Sequence, residues 1–165
     1  LRRARSVGTP RLLGHVTMVG PVLDDLVLVL RRLADSRGLT ITLRCPPDAR
    51  FAGERQDLEE MVGNLLENAV KHATARIDVS AVLHDRELVI GIEDDGPGIP
   101  EAERTRIFDR GVRLDTDKPG TGLGLAIVKG MVEANEGSVA AIDPPGGRGA
   151  AIRMILPAAP EDADA

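Results

Sequence analysis

The chain has no tryptophan and no tyrosine, and only two phenylalanines, Phe51 and Phe108. Its core must be aliphatic, and it lacks the aromatic platforms on which single-stranded nucleic acid stacks. Cys45 is the only cysteine, so no intrachain disulfide can form and no zinc cluster of cysteines exists. That usage fits a reducing, cytoplasmic setting. Positive charge is also short, with 21 Lys and Arg against 26 Asp and Glu, for a net charge of −5. Contact with a phosphate backbone needs a basic face, which argues against a nucleic-acid partner. Long hydrophobic runs are missing too. The best stretch, over residues 22–33, is interrupted by Asp24, Asp25, Arg31 and Arg32, so it is no membrane span. No signal peptide is visible, and a first residue Leu1 in place of methionine suggests a fragment of something longer.

With 165 residues, 42% of them hydrophobic, the chain suffices for one domain with a sizeable core. Residues 1–20 carry Arg2, Arg3 and Arg5, then Gly8 and Pro10, and read as an irregular lead-in or the tail of a preceding helix. Pro21 suits a first helical position, and Val22, Leu23, Leu26, Val27, Leu30 and Leu33 keep helical spacing as far as Gly38. Alternation predicts a strand over 39–43 and a short one over 50–53. A helix follows over about 54–73, then strands at 77–83 and 87–94 around a turn at His84-Asp85-Arg86. Residues 101–108 read as a short helix, 109–121 as a charged mobile loop and 122–134 as a helix. A hairpin at 138–142 and 150–156 comes last, and the acidic, Ala/Pro-rich tail reads as disordered. Strands and helices in this mixed order predict an α/β two-layer sandwich, with a mixed β-sheet and its helices on one face.

The most informative run is 64–73. At about 100° per residue, Asn64, Glu67, Asn68 and Lys71 share one helix face. Leu58, Met61, Val62, Leu65, Leu66, Ala69 and Val70 supply an apolar stripe beside it. Two amides, a carboxylate and an ammonium within two turns offer oxygen ligands for a hard cation, a base and a phosphate-binding cation. By itself the same face could equally be solvated, with a Glu67–Lys71 pair at i,i+4. Downstream, Leu88, Ile90 and Ile92 share a strand parity that Asp94 continues, which sets its carboxylate at the end of a core-facing row. A half-buried carboxylate needs a donor, and an adenine amino group is one. Gly96 and Gly98, followed by Ile99, would let backbone approach a planar base, although Asp/Gly turns also simply close strands. The third block, Gly120-Thr121-Gly122-Leu123-Gly124-Leu125, opens a helix and frees N–H groups for phosphate. Its spacing is neither that of a Walker loop nor of a dinucleotide fingerprint; alone it would read as a hinge. Between the last two blocks, Phe108 is placed to anchor a loop on which Arg110, Arg113 and Lys118 could close over a triphosphate, or stay solvated.

These blocks, in this order, resemble the Bergerat-type ATP-binding fold, and in particular the catalytic domain of bacterial sensor histidine kinases. Residues 64–73 are similar to that family's N box, 94–99 to its first glycine box, 107–110 to its F box and 120–125 to its second glycine box. The loop 110–115 with Lys118-Pro119 looks most like the PhoQ group. The resemblance implies ATP and Mg²⁺ as ligands. It implies that Asn68, supported by Asn64, holds Mg²⁺, that Glu67 activates an incoming histidine and that Lys71 contacts phosphate. Asp94 would read the adenine amino group, Arg110 or Arg113 would face the γ-phosphate, and Gly122 and Gly124 would flank the triphosphate. His72 stands where the family often has an aromatic over the base. The implied partners are the histidine-bearing dimerisation domain of the same kinase and a response regulator. The whole protein would be a homodimeric, inner-membrane sensor with this domain in the cytoplasm. Residues 21–157 would form the catalytic domain, 1–20 the lead from the phosphoacceptor region and 158–165 a tail. His15 does not fit as the acceptor, since the sequence around it departs from the family's pattern. The alternative within the fold is a nucleotide-gated ATPase clamp of the chaperone, gyrase and mismatch-repair type.

Overall fold

The computed structural model describes residues 15–110 and 124–162. Its centre is a five-stranded mixed sheet built from β2 (Thr40–Arg44), β4 (Arg76–His84), β5 (Glu87–Asp94), β6 (Ser138–Ile142) and β7 (Ala150–Pro157). The spatial order is β2-β4-β5-β7-β6; β2 pairs parallel with β4, and the other pairs are antiparallel. A two-stranded ribbon, β1 (Thr17–Met18) with β3 (Arg50–Phe51), forms a second small sheet.

Strand alternation explains the layer. Successive side chains point to opposite faces, and register aligns the apolar ones into rows. Val79, Ile92 and Ile152 form one row, and Ala81, Ile90 and Met154 the next; all are buried. Three helices cover that face: α1 (Val19–Ser36), α2 (Arg55–His72) and α3 (Gly124–Ala134). Helix α2 is the central one, packed against β5 and flanked by α1 and α3. Its buried residues are Leu58, Met61, Val62, Leu65, Leu66, Ala69 and Val70, the stripe read from the sequence. Each large member contributes about 1.5–3 kcal/mol by leaving water. Because that side is committed to the sheet, the face bearing Asn64, Glu67, Asn68 and Lys71 is turned away from it.

The predicted α/β sandwich is therefore the observed architecture, with five local corrections. Pro21 is the third residue of α1, not the first; N–H groups of a first turn lack helical acceptors, so proline is tolerated at any of these positions. Residues 17–20, read as lead-in, contain β1 and the start of α1, and the Val19 N–H donates to the Ala49 carbonyl at 3.0 Å. The predicted helix over 101–108 is two 3₁₀ turns, Glu101–Glu103 and Arg106–Phe108. The tail is ordered beyond Pro157: Ala158 and Ala159 donate to the carbonyls of Arg86 and Arg50 at 2.9 and 3.0 Å. Leu33, counted in the apolar stripe of α1, is exposed. Among the described residues, no helix is long and apolar enough to cross a membrane.

Candidate ATP-binding site

The polar face of α2 forms one side of the site. Glu67 is exposed, while Asn64, Asn68, Lys71 and His72 are half-buried. The Asn64 amide donates to the Glu60 carbonyl at 2.8 Å. His72 Nδ1 lies 2.8 Å from the Asn68 carbonyl; a carbonyl only accepts, so Nδ1 carries the proton and the ring is pinned over the last turn. That last turn is held from behind by Arg37, whose Nη1 and Nη2 donate to the carbonyls of Val70 and Lys71 at 2.9 and 3.3 Å.

Opposite stands the end of β5. Register puts Asp94 beside Ile77 on one side and Ala150 on the other, at the end of the core-facing rows. Only 7% of Asp94 is exposed. Burial pushes its carboxyl above the usual range; the N–H of Gly96 and the proximity of His72 pull the other way, Asp95 adds to the rise, and the Ala150 N–H opposes it. Its Oδ1 accepts from the Gly96 N–H at 2.8 Å. Gly96 must be glycine, because a Cβ there would stand 2.3 Å from the His72 carbonyl oxygen and 2.8 Å from Asp94 Oδ1. The end of α2 and the Asp94 turn thus meet backbone to backbone.

Two residues outside the predicted set belong to this turn. Gly149, just before β7, has φ of +89°, and a Cβ on it would fall 1.8 Å from the Asp94 carbonyl oxygen. Gly98 is constrained in turn: its φ is +84°, and a Cβ on it would stand 2.8 Å from the Gly149 carbonyl oxygen. The Gly146-Gly147-Arg148-Gly149 run was visible in the sequence but reads there only as a hairpin turn. Asp95 is the other: its Oδ1 accepts from the N–H groups of Thr74, Ala75 and Arg76, each at 3.0 Å. Burial acts to raise its carboxyl, but the donors Ala75, Arg76 and Thr74 together hold it below the usual range.

The third side is the start of α3. A Cβ on Gly124 would lie 3.7 Å from Asn64 Oδ1, so the end of the second glycine block adjoins the polar face of α2. Phe108 and Ile107 are buried in the core, as the anchoring role of Phe108 requires. Ile99 packs on the same core from the Asp94 side, and Arg110 is exposed. Arg113, Lys118, Gly120, Thr121, Gly122 and Leu123 lie outside the described residues, as does most of the loop expected over 109–121. No group of three His, Cys, Asp or Glu that could hold a metal unaided exists among the described residues.

Residues 53–160 match the family of histidine kinase-, DNA gyrase B- and HSP90-like ATPases. The chain belongs to that family. Curated relatives that the chain resembles are sensor kinases. Sensor protein PhoQ of Escherichia coli K12 is 41% identical over 141 residues, which is 86% of this chain and 29% of that protein. The virulence sensor histidine kinase PhoQ of Salmonella typhimurium LT2 is 40% identical over 144 residues, 87% of this chain and 30% of that one. The chain thus spans under a third of the length of these relatives. Among solved structures, the mycobacterial sensor histidine kinase MprB superposes with a TM-score of 0.78 at 32% identity, covering 90% of this chain and 99% of that one. The ATP-binding domain of PrrB from Mycobacterium tuberculosis gives 0.72 at 28% identity, covering 88% and 98%. Full-length ShkA, solved in complex with AMPPNP, gives 0.78 at 27% identity, covering 92% and 33%. The chain is a sensor histidine kinase ATP-binding catalytic domain, and the expected fold and family are both found.

Proposed function

We propose that this kinase domain binds ATP with Mg²⁺ and transfers the γ-phosphoryl group to a histidine in the separate dimerisation domain of the same kinase, for relay to a response regulator. The observation that carries this reading is the apposition of buried Asp94 to the end of α2 through the Gly96–His72 backbone contact. It sets a base-reading carboxylate beside a helix face of amides, carboxylate and ammonium. Asp94 accepts from the adenine amine, His72 covers the base, and Gly96, Gly98 and Ile99 line its approach. Lys71, Lys118, Arg110 and Arg113 neutralise phosphate, while Gly120, Thr121, Gly122, Leu123 and Gly124 present backbone to it.

The donor set fits Mg²⁺. Amide oxygens on Asn68 and Asn64 are hard ligands, and Mg²⁺ is usually held by few protein oxygens with phosphates and waters completing the octahedron. When bound, the ion supplies charge neutralisation to the phosphates. The rest falls to the chain. A histidine nitrogen attacks the γ-phosphorus, an N–P bond forms, the bridging P–O bond breaks and ADP leaves. Glu67 orients or takes the histidine proton, and its exposure leaves it open to a domain arriving from outside. In this reading the catalytic unit takes in β1 at Thr17 and runs through Ala159, and the residues before it lead from the phosphoacceptor region. The unit works in the cytoplasm as part of a homodimeric, membrane-anchored sensor.

The test mixes this domain with the histidine-bearing domain of its own kinase and labelled ATP. Acid-labile phosphohistidine should form in trans. Glu67→Gln should slow its formation far more than it weakens ATP binding. Steady hydrolysis without a phosphoprotein, coupled to nucleotide-dependent dimerisation, would favour the clamp instead.

A further inference from the structure

We infer that Asp95 is a positioning residue for base recognition, a clamp that locks the end of α2 to the turn carrying Asp94. The inference rests on the reading of Asp94 as the adenine-reading group. Past the end of a helix the chain has lost its intrahelical acceptors, and three successive N–H groups pointing one way form a concave site for an anion. Residues 74–76, from the α2–β4 connection into the first residue of β4, are such a run. The anion is supplied by the chain itself: Asp95 Oδ1 takes all three N–H groups at 3.0 Å. Its own N–H donates back to the Arg76 carbonyl at 3.2 Å, so backbone and side chain grip the same segment.

The consequence lies one residue either side. Asp94 is covalently next to the clamp, and Gly96 abuts the His72 carbonyl. Asp95 therefore sets the distance between the two walls of the pocket, Asp94 on one and the His72–Asn68 turn on the other. The carbonyls of that turn are held from the opposite side by Arg37, so the segment 70–76 is pinned at both its acceptors and its donors. With Oδ1 engaged threefold, Asp95 acts through these neighbours rather than on the nucleotide itself. Without it, the loop retreats, the Gly96 contact opens and Asp94 leaves the plane of the base. Phosphate contacts change less: Lys71 stays on α2, where Arg37 still holds its carbonyl, and the other contacts are borne by the loop cations and the second glycine block.

The experiment measures calorimetric affinities of the folded domain for ADP, GDP and Mg²⁺-tripolyphosphate in the wild type, Asp95→Ala, Asp95→Asn and Asp94→Asn. Asp95→Ala should lower ADP affinity about tenfold, the size of one lost hydrogen bond to a charged group, and shrink the ADP:GDP ratio with it. Tripolyphosphate affinity should stay within about twofold, and Asp95→Asn, which keeps an acceptor oxygen, should recover part of the loss and leave a deficit of about threefold. A loss confined to thermal stability, with a wild-type ADP:GDP ratio in the folded protein, would overturn the inference. If Asp95→Ala does not fold, Asp95→Asn decides: a neutral acceptor should shrink the ratio about threefold, and an unchanged ratio refutes the clamp. Asp94→Asn separates the two levels. If it keeps base selectivity, the pocket reading itself fails; if it loses selectivity while both Asp95 variants keep it, only the clamp fails.

Discussion

Replacing Asp94 by asparagine should divide binding from stability, and the structure says in which direction each moves. The Gly96 N–H donates to Oδ1 at 2.8 Å in a site only 7% exposed, so that N–H must keep an acceptor after the substitution. The asparagine carbonyl oxygen takes that place, and the amide NH₂ turns toward the base. A donor then meets the adenine amine, which is also a donor. A lost hydrogen bond to a charged group is worth about 1.5–3 kcal/mol, so ADP affinity should fall about 10- to 150-fold. Guanine presents a carbonyl at the corresponding position, so selectivity should swing toward GDP. Stability should behave otherwise. Burial raises the Asp94 carboxyl, so its contribution to folding is present below the unfolded pKa and lost as pH rises through the higher folded value. At neutral pH the buried carboxylate is a burden that the amide removes, and urea unfolding should show the variant as stable as the parent or more so. An ADP affinity within twofold of wild type, with adenine still preferred, would refute the reasoning; so would a loss of several kcal/mol in stability with binding intact.

The raised Asp94 carboxyl also predicts that adenine-nucleotide affinity in the wild type weakens on acidification before ordinary surface carboxylates titrate; a calorimetric pH series should show the step, and Asp94→Asn should lack it. Asn68→Ala should weaken nucleotide binding strongly in Mg²⁺ and little in EDTA, with unfolding changed by under about 1 kcal/mol because the side chain is only half-buried; equal affinities with and without Mg²⁺ would remove it from the metal site. Gly96→Ala should lose about 1–3 kcal/mol and most nucleotide affinity together, since its Cβ would fall 2.3 Å from a backbone oxygen that cannot rotate away; wild-type binding in that variant would show that the contact is soft.

The parts of the fold that were legible are those where one short stretch settles its own structure. The seven-residue stripe of α2 is buried as its spacing demands, and the alternation of Leu88, Ile90 and Ile92 carries Asp94 into the core. What escaped depends on partners far away in the chain. A two-residue strand such as Thr17–Met18 has no period of its own and exists because Phe51 and Arg50 come alongside. Residues 101–108 have apolar side chains at Ile107 and Phe108 but no stripe three and four residues apart, so only tight 3₁₀ turns form. The ordering of Ala158 and Ala159 comes from the Arg86 and Arg50 carbonyls, which composition does not reveal. In the site, Asp94 and Phe108 could be placed by parity and rarity. Asp95 could not, because parity only sets it off the core row and says nothing of the loop onto which it folds. Gly149 was hidden similarly, its need for glycine arising from the Asp94 backbone beside it.

Asp94 and Ala150 are register partners on adjacent strands, so the chain that leaves the sheet after Asp94 and rejoins it through the edge strand β6 comes back at Ala150 to the doorway it left by. Along that excursion lie the first glycine block, the F box, the second glycine block and α3. A detour with fixed ends is free to vary in its middle: for a flexible loop, closure entropy rises by only about 0.6 kcal/mol per doubling of length. The strand pairing that closes the doorway does not register how long the path outside has become. Descendants of this domain could therefore lengthen, shorten or rewrite the stretch between Phe108 and Gly124 while inheriting the sheet unchanged, and kinases sharing one scaffold could diverge in how they grip and release nucleotide.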